Sequence, residues 1–431
     1  MSIYITLTYL FGTELILNLR RQLVLLRERL KSYGNDNLHY ICSGSLGEGV
    51  AYPPSDDDLM VYRTGRRVVS KPQEGTQDGD VVMARINGSP GYCLLLDIRN
   101  CYPQNVQCDS DGIPFVSSSL WKEHINPPRE DCYIHGPCHT FAVGDDEYDV
   151  ASVIPCSFWP DIACDWISRK RSHGWPSHDT IQDIVRDKCH VVPIGDPDSP
   201  LQQHAWRISF SVAERTLMHS LNHVQFLTYN LLRLTLKRII DKKFPGIICS
   251  YFMKTTLFYT IEKTSAQLWT AHNLEACFKV CLSTLYDFID NINCPNYFIP
   301  EYNMIKRKVN RTNRQELLDT IRNIHSTDTE SILSICGEPS NMYLEERLSL
   351  QIMEWRFDRE IYDSVHVVKL TSVIYDVITE TTVSSMCKFV HFLLGKGTFS
   401  RYVVSGILLQ RLVVCCCLKL MDTFVRLAKC K

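Results

Sequence analysis

The sequence predicts an α+β protein in which one N-terminal helix is followed by β-strands and then by further helices. Between about residues 60 and 150, short apolar runs alternate with Gly, Pro, Asp and Ser clusters, a pattern typical of strands joined by turns. After about residue 157, helical segments dominate, and apolar residues recur at three- and four-residue spacing. Strands followed by helices favour a sheet-based core with a helical second lobe.

The first element is a long helix that begins near Glu14 and ends at Gly34 and Asn35. It has an apolar stripe at helical spacing, formed by Ile16, Leu19, Leu23, Leu26 and Leu30. A second face carries the basic residues Arg20, Arg21, Arg27 and Lys31. Such a face is ordinarily solvated, and a surface that binds a partner is the alternative.

The next elements are strands. They are predicted in "LHYICSGS", "VVMARI", "YCLLLDI" and "EYDVASVI", and "NPPREDCYIHGPC" is predicted as a loop. One long helix then follows, with a stripe formed by Leu217, Leu221, Val224, Leu227, Leu231 and Leu234. The stretch "HSTDTESILSICGEPSN" marks a boundary before a C-terminal helical unit.

The overall composition excludes several classes of protein. The 431 residues are enough for two or three packed units, and the net charge of -2 shows no basic excess. No secretory signal is recognised, so the 19 cysteines are expected to be reduced thiols of a cytoplasmic protein. Two apolar runs, near residues 3 and 404, are interrupted by polar residues, so no membrane span is expected.

Three consecutive aspartates open the run "SDDDLMVY". On a strand, Asp56 and Asp58 would point to one face, and Asp57 would point to the other. Two carboxylates on one face suit Mg²⁺, a cation that prefers oxygen ligands. Asp149, inside the apolar run "EYDVASVIP", could complete a site for phosphoryl transfer.

A glycine-rich turn, "SGSLGEG", lies about ten residues before these aspartates. Glycine lets the backbone approach a ligand closely, and the amides with the Ser45 hydroxyl could cradle a triphosphate. Each motif by itself is weak, since an exposed acidic turn is common. Their combination at this spacing is far more specific.

Five stretches, in order, resemble the Mab-twenty-one nucleotidyltransferases, the family that contains cyclic GMP–AMP synthase (cGAS) and the cGAS-like receptors. They are "GSLGEGVAYPPSDDDLM", "YDVASVIPCSFWPDIACDWISRKRSHGWP", "WRISFSVAERTL", "CSYFMKTTLFYTIE" and "NYFIPEYNMI". The resemblance covers roughly residues 14 to 310. It implies a bilobal nucleotidyltransferase fold with a mixed β-sheet catalytic core and a helical second lobe.

The resemblance also implies roles for individual residues. Asp56, Asp58 and Asp149 match the acidic triad that binds Mg²⁺ or Mn²⁺. The positions that match nucleotide contacts are Gly44, Ser45, Arg207, Ser209, Ser211, Lys237, Ser250, Tyr251 and Lys254. Tyr251 would stack on a base, and Glu48 and Glu214 receive no role.

The chain departs from vertebrate cGAS in one respect. "RTLMHSLNHVQFLTYNLL" runs without cysteine through the place of the zinc-binding insertion that grips DNA. The cluster "CYIHGPCH" offers Cys132, His135, Cys138 and His139, but adjacent Cys138 and His139 are awkward tetrahedral partners. No zinc is therefore expected.

Double-stranded RNA or another nucleic acid is the expected activator. The candidate contacts are Arg20, Arg27 and Lys31 on the first helix and Arg169, Lys170 and Arg171 in "SRKRSHGW".

The family interpretation predicts three domains. They are a nucleotidyltransferase core with an N-terminal spine helix over 1–200, a helical lobe over 201–325 and a helical extension over 326–431. The predicted function is metal-dependent synthesis of a cyclic dinucleotide from ATP and GTP or other nucleoside triphosphates, in innate immune sensing. The alternatives are a catalytically inactive scaffold of the same fold and a template-independent polymerase.

Overall fold

The structure, a computed structural model, describes residues 3–32, 37–50, 57–72, 78–108, 112–125, 132–143 and 146–336. The chain divides into two compact units. One contains residues 1–14 and 37–339, and the other contains residues 15–36 and 340–431. Asp56 and the predicted extension beyond residue 336 lie outside the described residues.

The strands of the first unit form two sheets. The strands are β1 (Leu38–Cys42), β2 (Asp57–Arg63), β3 (Arg67–Val69), β4 (Asp80–Arg85), β5 (Tyr92–Leu96), β6 (Val106–Cys108), β7 (Pro114–Val116), β8 (Cys132–His135), β9 (Cys138–Val143), β10 (Asp146–Ser152), β11 (Ile154–Pro155), β12 (His190–Val192) and β13 (Trp206–Ser209). A five-stranded sheet has the order β1-β2-β10-β9-β8, and a larger sheet has the path β11-β12-β13-β5-β4-β3, with β7 on β5 and β6 on β7.

Helices precede the sheets and follow them. They are α1 (Ile3–Phe11), α2 (Glu14–Ser32), α3 (Gly44–Gly47), α4 (Ser118–Ile125), α5 (Cys164–Ser168), α6 (His178–Asp187), α7 (Ser211–His219), α8 (His223–Thr235), α9 (Asp241–Lys243), α10 (Ser250–Lys263), α11 (Leu274–Asp290), α12 (Arg311–Ser326) and α13 (Thr329–Cys336). The predicted α+β class with a helical C-terminal lobe is confirmed.

Two buried tryptophans connect the sheets. The rings of Trp121 on α4 and Trp206 on β13 meet edge to face, with centroids 5.3 Å apart. The Trp206 indole N–H donates to the Val116 carbonyl at 2.8 Å, and that of Trp121 donates to the Ser152 carbonyl at 3.2 Å. Because Ser152 ends β10, these contacts fix the strand that carries Asp149.

Helix α8 lies at the centre of the helical lobe. Twelve of its thirteen residues are buried, and it packs on α1, α10 and α11. Its start is fixed by a reciprocal capping box, in which Asn222 accepts from the Gln225 amide and the Gln225 side chain accepts from the Asn222 amide, both at 2.9 Å.

The capping box corrects one sequence prediction. The stripe from Leu217 to Leu234 predicts one helix, but α7 ends at His219 and α8 begins at His223. Apolar spacing continues across the break because both helices bury a face in the same core. Spacing alone therefore does not reveal the break, whereas the Asn222–Gln225 cap specifies it.

The segment around Cys132 corrects a second sequence prediction. The sequence predicts a loop, but Cys132–His135 forms β8 and pairs antiparallel with β9 across a turn at Gly136. The period-2 signal is short here, and pairing with a neighbouring strand decides its conformation.

The described part of the chain contains no helix long and apolar enough to cross a membrane. The thirteen cysteines between Cys42 and Cys294 whose side chains are described are free thiols.

Candidate functional site

Two of the three predicted metal ligands lie on adjacent strands. Asp58 on β2 and Asp149 on β10 are directly paired in the parallel register. Directly paired residues project to the same face, and neighbouring strands lie about 4.8 Å apart. The fold therefore brings together two carboxylates that are 91 positions apart in the sequence.

A threonine holds the second carboxylate. Thr140 on β9 pairs with Asp149 in the antiparallel register, and its hydroxyl donates to Asp149 Oδ1. Thr140 is only 2% exposed. This hydrogen bond engages one oxygen of Asp149 and sets the orientation of the carboxylate.

The floor beside the carboxylates is apolar. Met60, Ala151 and Val153 form a buried cluster, against which Cys138 packs. Burial, followed by the charges of Asp149 and Asp58, raises the pKa of the Cys138 thiol to about 12. The thiol is therefore neutral at physiological pH, and the carboxylates lie beside this apolar cluster.

The glycine-rich turn lies against Asp58. Gly44 has φ +59°, and a methyl group at its Cα would overlap with the Asp58 carboxylate. The Ser43 amide donates to the Asp58 carbonyl at 2.8 Å, so the turn is tied to β2 by its backbone. Ser45, which is half-buried, follows inside α3. The turn and the aspartate predicted to act together are thus in contact.

Helix α7 supports the other side of this turn. Arg215 Nη1 donates to the Cys42 carbonyl at 3.0 Å, and His219 Nε2 lies 2.9 Å from the Gly47 carbonyl. These two residues, four apart on one helix face, belong to neither sequence motif. The turn therefore rests on α7 as well as on the sheet.

Arg207 lies on β13, paired with Tyr92 and Val192. Its positive charge lowers the pKa of Cys138, the same thiol whose pKa is raised by the charges of Asp149 and Asp58. Ser209 and Ser211 have their hydroxyls 2.8 Å apart. The sequence motif "WRISFS" thus presents these groups at the junction of β13 and α7.

The structure engages Lys254 and Tyr251 in contacts of their own. The Lys254 ammonium forms ion pairs with Glu48 and with Glu214, the latter at 3.1 Å. The Tyr251 hydroxyl donates to Glu214 at 2.9 Å and accepts from Asn296 at 2.8 Å. Glu48 and Glu214, which had no predicted role, are therefore the partners of two predicted nucleotide contacts.

The other two predicted nucleotide contacts lie at the surface. Lys237 occupies the π-helical turn Leu236–Ile240 that follows α8, with its side chain 60% exposed and its ammonium 3.6 Å from Asp241. Ser250 is exposed at the first position of α10.

Two of the candidate nucleic-acid contacts in the segment after α5 point inward. Arg169 donates to the Tyr297 carbonyl at 2.7 Å and pairs with Glu262 at 3.3 Å. Arg171 donates to the Trp166 carbonyl at 2.6 Å. Lys170 between them is exposed. A contact with nucleic acid by all three stays a prediction, and only Lys170 has its side chain at the surface.

On α2, Arg20 is buried, at 8% exposure. Burial lowers its pKa to about 10. The side chains of Arg27 and Lys31 lie outside the described residues.

The acidic pair has the chemistry of a Mg²⁺ or Mn²⁺ site. Carboxylate oxygens on one face, next to backbone that tolerates only glycine, suit a hard cation and its anionic ligand. Within the described residues there is no cluster of three or more His, Cys, Asp or Glu side chains able to hold a metal ion. Asp56, the third predicted ligand, is not among those residues, so the triad stays a prediction.

Sequence reasoning missed Thr140, Arg215, His219 and Asn296. Arg215 and Asn296 lie in the quoted stretches "WRISFSVAERTL" and "NYFIPEYNMI" but received no role, and Arg215 and His219 are two polar residues at i, i+4 spacing. Thr140 could not be found, because its partner depends on strand register, which local sequence does not specify.

Comparison with known proteins gives two family matches. The Mab-21 protein nucleotidyltransferase domain matches residues 117–220, and the Mab-21 protein HhH/H2TH-like domain matches residues 222–323. The cyclic GMP-AMP synthase of Sus scrofa is 27% identical over 154 residues, which is 31% of this chain and 30% of that relative. The chain thus spans less than a third of that curated relative. Asp149 and Arg207 lie in the first matched range, and Tyr251 and Lys254 lie in the second.

Proposed function

Since this chain carries both Mab-21 domains in order and is a member of the Mab-21/cGAS-like family, we propose that it is a metal-dependent nucleotidyltransferase that joins two nucleoside triphosphates into a cyclic dinucleotide. The observation that carries the proposal is the in-register pairing of Asp58 and Asp149 beside the Gly44 turn. Carboxylates on one face next to close-approaching backbone are what a metal–triphosphate complex requires.

Asp58 and Asp149, with Asp56, would hold Mg²⁺ or Mn²⁺. The cation supplies charge neutralisation and alignment for in-line displacement at an α-phosphate. Thr140 keeps Asp149 in one orientation by its hydrogen bond to Oδ1. The apolar cluster of Met60, Ala151 and Val153, with Cys138 packed against it, would limit the access of water to the carboxylates from that side.

The nucleotides would lie between the turn and the β13–α7 junction. Gly44 and Ser45 would receive phosphates through the turn, and Arg207 would supply positive charge from the opposite side. ATP and GTP are the first substrates to test. A nucleic acid such as double-stranded RNA would activate the protein by ordering this site.

The experiment uses the full chain with labelled ATP, GTP, CTP and UTP plus Mg²⁺ or Mn²⁺. Parallel reactions contain double-stranded RNA, double-stranded DNA or no activator, and an Asp58→Asn/Asp149→Asn variant is the control. We expect a phosphatase-resistant small product that the variant does not make.

Other outcomes would assign a different function. Extended strands would identify a template-independent polymerase. Binding of Mg-ATP without product under all conditions would favour the catalytically inactive scaffold. Wild-type protein that binds neither Mn²⁺ nor nucleotide would contradict the metal site itself.

A further inference from the structure

Two carboxylates from different elements share one buried lysine. Glu48 follows the turn of α3, Glu214 lies on α7, and Lys254 lies on α10. The Lys254 ammonium pairs with both, and Glu214 also accepts the Tyr251 hydroxyl at 2.9 Å. We call Glu48, Glu214 and Lys254 the buried ion cluster.

This cluster is shielded from water. Glu48 is 3% exposed, and Glu214 and Lys254 are each 8% exposed. Burial alone would lower the pKa of Lys254, but the charges of Glu48 and Glu214 raise it well above its usual value. The ammonium therefore stays protonated, and removing Lys254 would leave two buried carboxylates without the cation that they share.

The cluster is connected directly to the candidate active site. The Glu48 amide donates to the Gly44 carbonyl at 3.2 Å, so its backbone closes the turn that lies against Asp58. Through the side chain of Glu48, Lys254 anchors this turn to α10. Arg215 and His219 anchor the same turn to α7.

We propose that Lys254 is a positioning residue, which acts through Glu48 to hold the Gly44–Gly47 turn against Asp58, and that Glu214 fixes Lys254 and Tyr251 for this purpose. The contact between Lys254 and Glu48 is independent of the proposed nucleotidyltransferase function. Its consequence for nucleotide binding rests on that function. It differs from a direct phosphate contact by Lys254, because the ammonium is buried and already bound by two carboxylates.

The two roles predict opposite effects of one substitution. If Lys254 binds phosphate directly, Glu48→Gln releases the ammonium from one of its two carboxylates and maintains or strengthens triphosphate binding. If Lys254 positions the turn, Glu48→Gln and Lys254→Met release the same contact. Their effects are then similar, and the double variant adds little to either.

The experiment measures hydrogen exchange of the amides of residues 44–50 in the protein without ligand, and equilibrium binding of Mg-ATP. The amides of Gly47, Glu48 and Val50 are hydrogen-bonded within the turn, so their exchange reports its opening. We expect Glu48→Gln, Lys254→Met and the double variant each to accelerate this exchange by about tenfold or more and to weaken Mg-ATP binding comparably.

Two references separate a local effect from general destabilisation. Exchange of core amides in α11 monitors global unfolding in every variant. Lys279→Met removes a half-buried lysine that pairs with Glu275 at 2.8 Å on α11, and it should leave the turn unchanged.

Unchanged exchange at residues 44–50 in Glu48→Gln and Lys254→Met would overturn the proposal. Loss of Mg-ATP binding in Lys254→Met alone, with binding kept in Glu48→Gln, would also overturn it in favour of a phosphate contact. Faster exchange of the turn in a chain whose wild type binds no nucleotide would support the positioning role and contradict the proposed function instead.

Discussion

Asp149 and Thr140 face each other across β9 and β10, and the hydroxyl of one engages a carboxylate oxygen of the other. A hydrogen bond to one oxygen keeps the second oxygen in a defined direction. Groups that orient a metal ligand in this way affect metal affinity although they do not touch the metal.

We therefore expect Thr140→Val to weaken Mn²⁺ binding by about tenfold, because valine keeps the shape but removes the donor. Electron paramagnetic resonance of free Mn²⁺ measures this without turnover. Thr140→Ser keeps a hydroxyl and should bind Mn²⁺ like the wild type. Equal affinity in all three proteins would show that the hydrogen bond does not orient Asp149.

His190 on β12 is a buried histidine within 5.7 Å of the Tyr62 ring centre. Burial, with a smaller effect of the Arg215 charge, lowers its pKa to about 4. In the unfolded chain a histidine has a pKa of about 6.5. Below that pH the unfolded state therefore binds a proton that the folded state does not bind.

The free energy of unfolding should therefore fall as the pH drops from about 6.5 towards 4, by up to ~3 kcal/mol from His190. Urea unfolding at a series of pH values measures this slope. His190→Phe should reduce the slope. Part of the slope should remain, because burial also lowers the pKa of His139. A slope unchanged by the substitution would rule out His190 as its source.

At the level of elements, the break between α7 and α8 sets the geometry of the lobe. It allows α7 to present Arg215 and His219 to the turn while α8 runs through the core. The Asn222–Gln225 capping box specifies the break.

Asn222→Ala should lower the free energy of unfolding by about 1 kcal/mol, because the first turn of α8 loses its side-chain acceptor. Urea unfolding measures the loss. Asn222→Ser keeps an acceptor and should recover most of it, although it gives up the Asn222 contact with the Trp269 carbonyl at 3.3 Å. Equal losses in both variants would assign the effect to that second contact.

At the level of the whole molecule, charge is unevenly distributed. The chain has a net charge of -2, yet exposed cations are concentrated on two segments of the helical lobe, at residues 242–243 and 306–311. The Lys308 ammonium donates to the Gly246 carbonyl at 2.9 Å and so joins the loop before α12 to the segment after α9. We call this the basic surface, and its residues are Lys242, Lys243, Lys306, Lys308 and Arg311.

If duplex RNA binds the chain through its phosphates, the basic surface should contribute. We expect the triple variant Lys242→Glu/Lys243→Glu/Lys306→Glu to weaken binding of double-stranded RNA by at least tenfold at low salt. The slope of log affinity against log salt concentration should become less steep by roughly one unit for each lysine–phosphate pair removed. Fluorescence anisotropy across a salt series measures both. Lys170→Glu tests the segment predicted from the sequence, and weaker binding only in that variant would contradict a role for the basic surface.

The sequence by itself determined the family and the fold class of this protein. Both depend on local information, namely motifs such as "GSLGEG" and "SDDDLMVY" in a fixed order and a change from period-2 to helical spacing. It also identified Asp58 and Asp149 as candidate metal ligands and Gly44 as a candidate nucleotide contact, and these roles stay predictions.

Only the tertiary structure decided which side chains meet. The partners of Asp149 and Lys254, namely Thr140, Glu48 and Glu214, follow from strand register and helix packing, and a one-residue shift in register would replace Thr140 by a residue on the opposite face. It likewise turned Arg169 and Arg171 inward, although their charges suggested a surface. The physical reason is that buried polar groups must find partners, and those partners come from distant segments that local sequence does not specify.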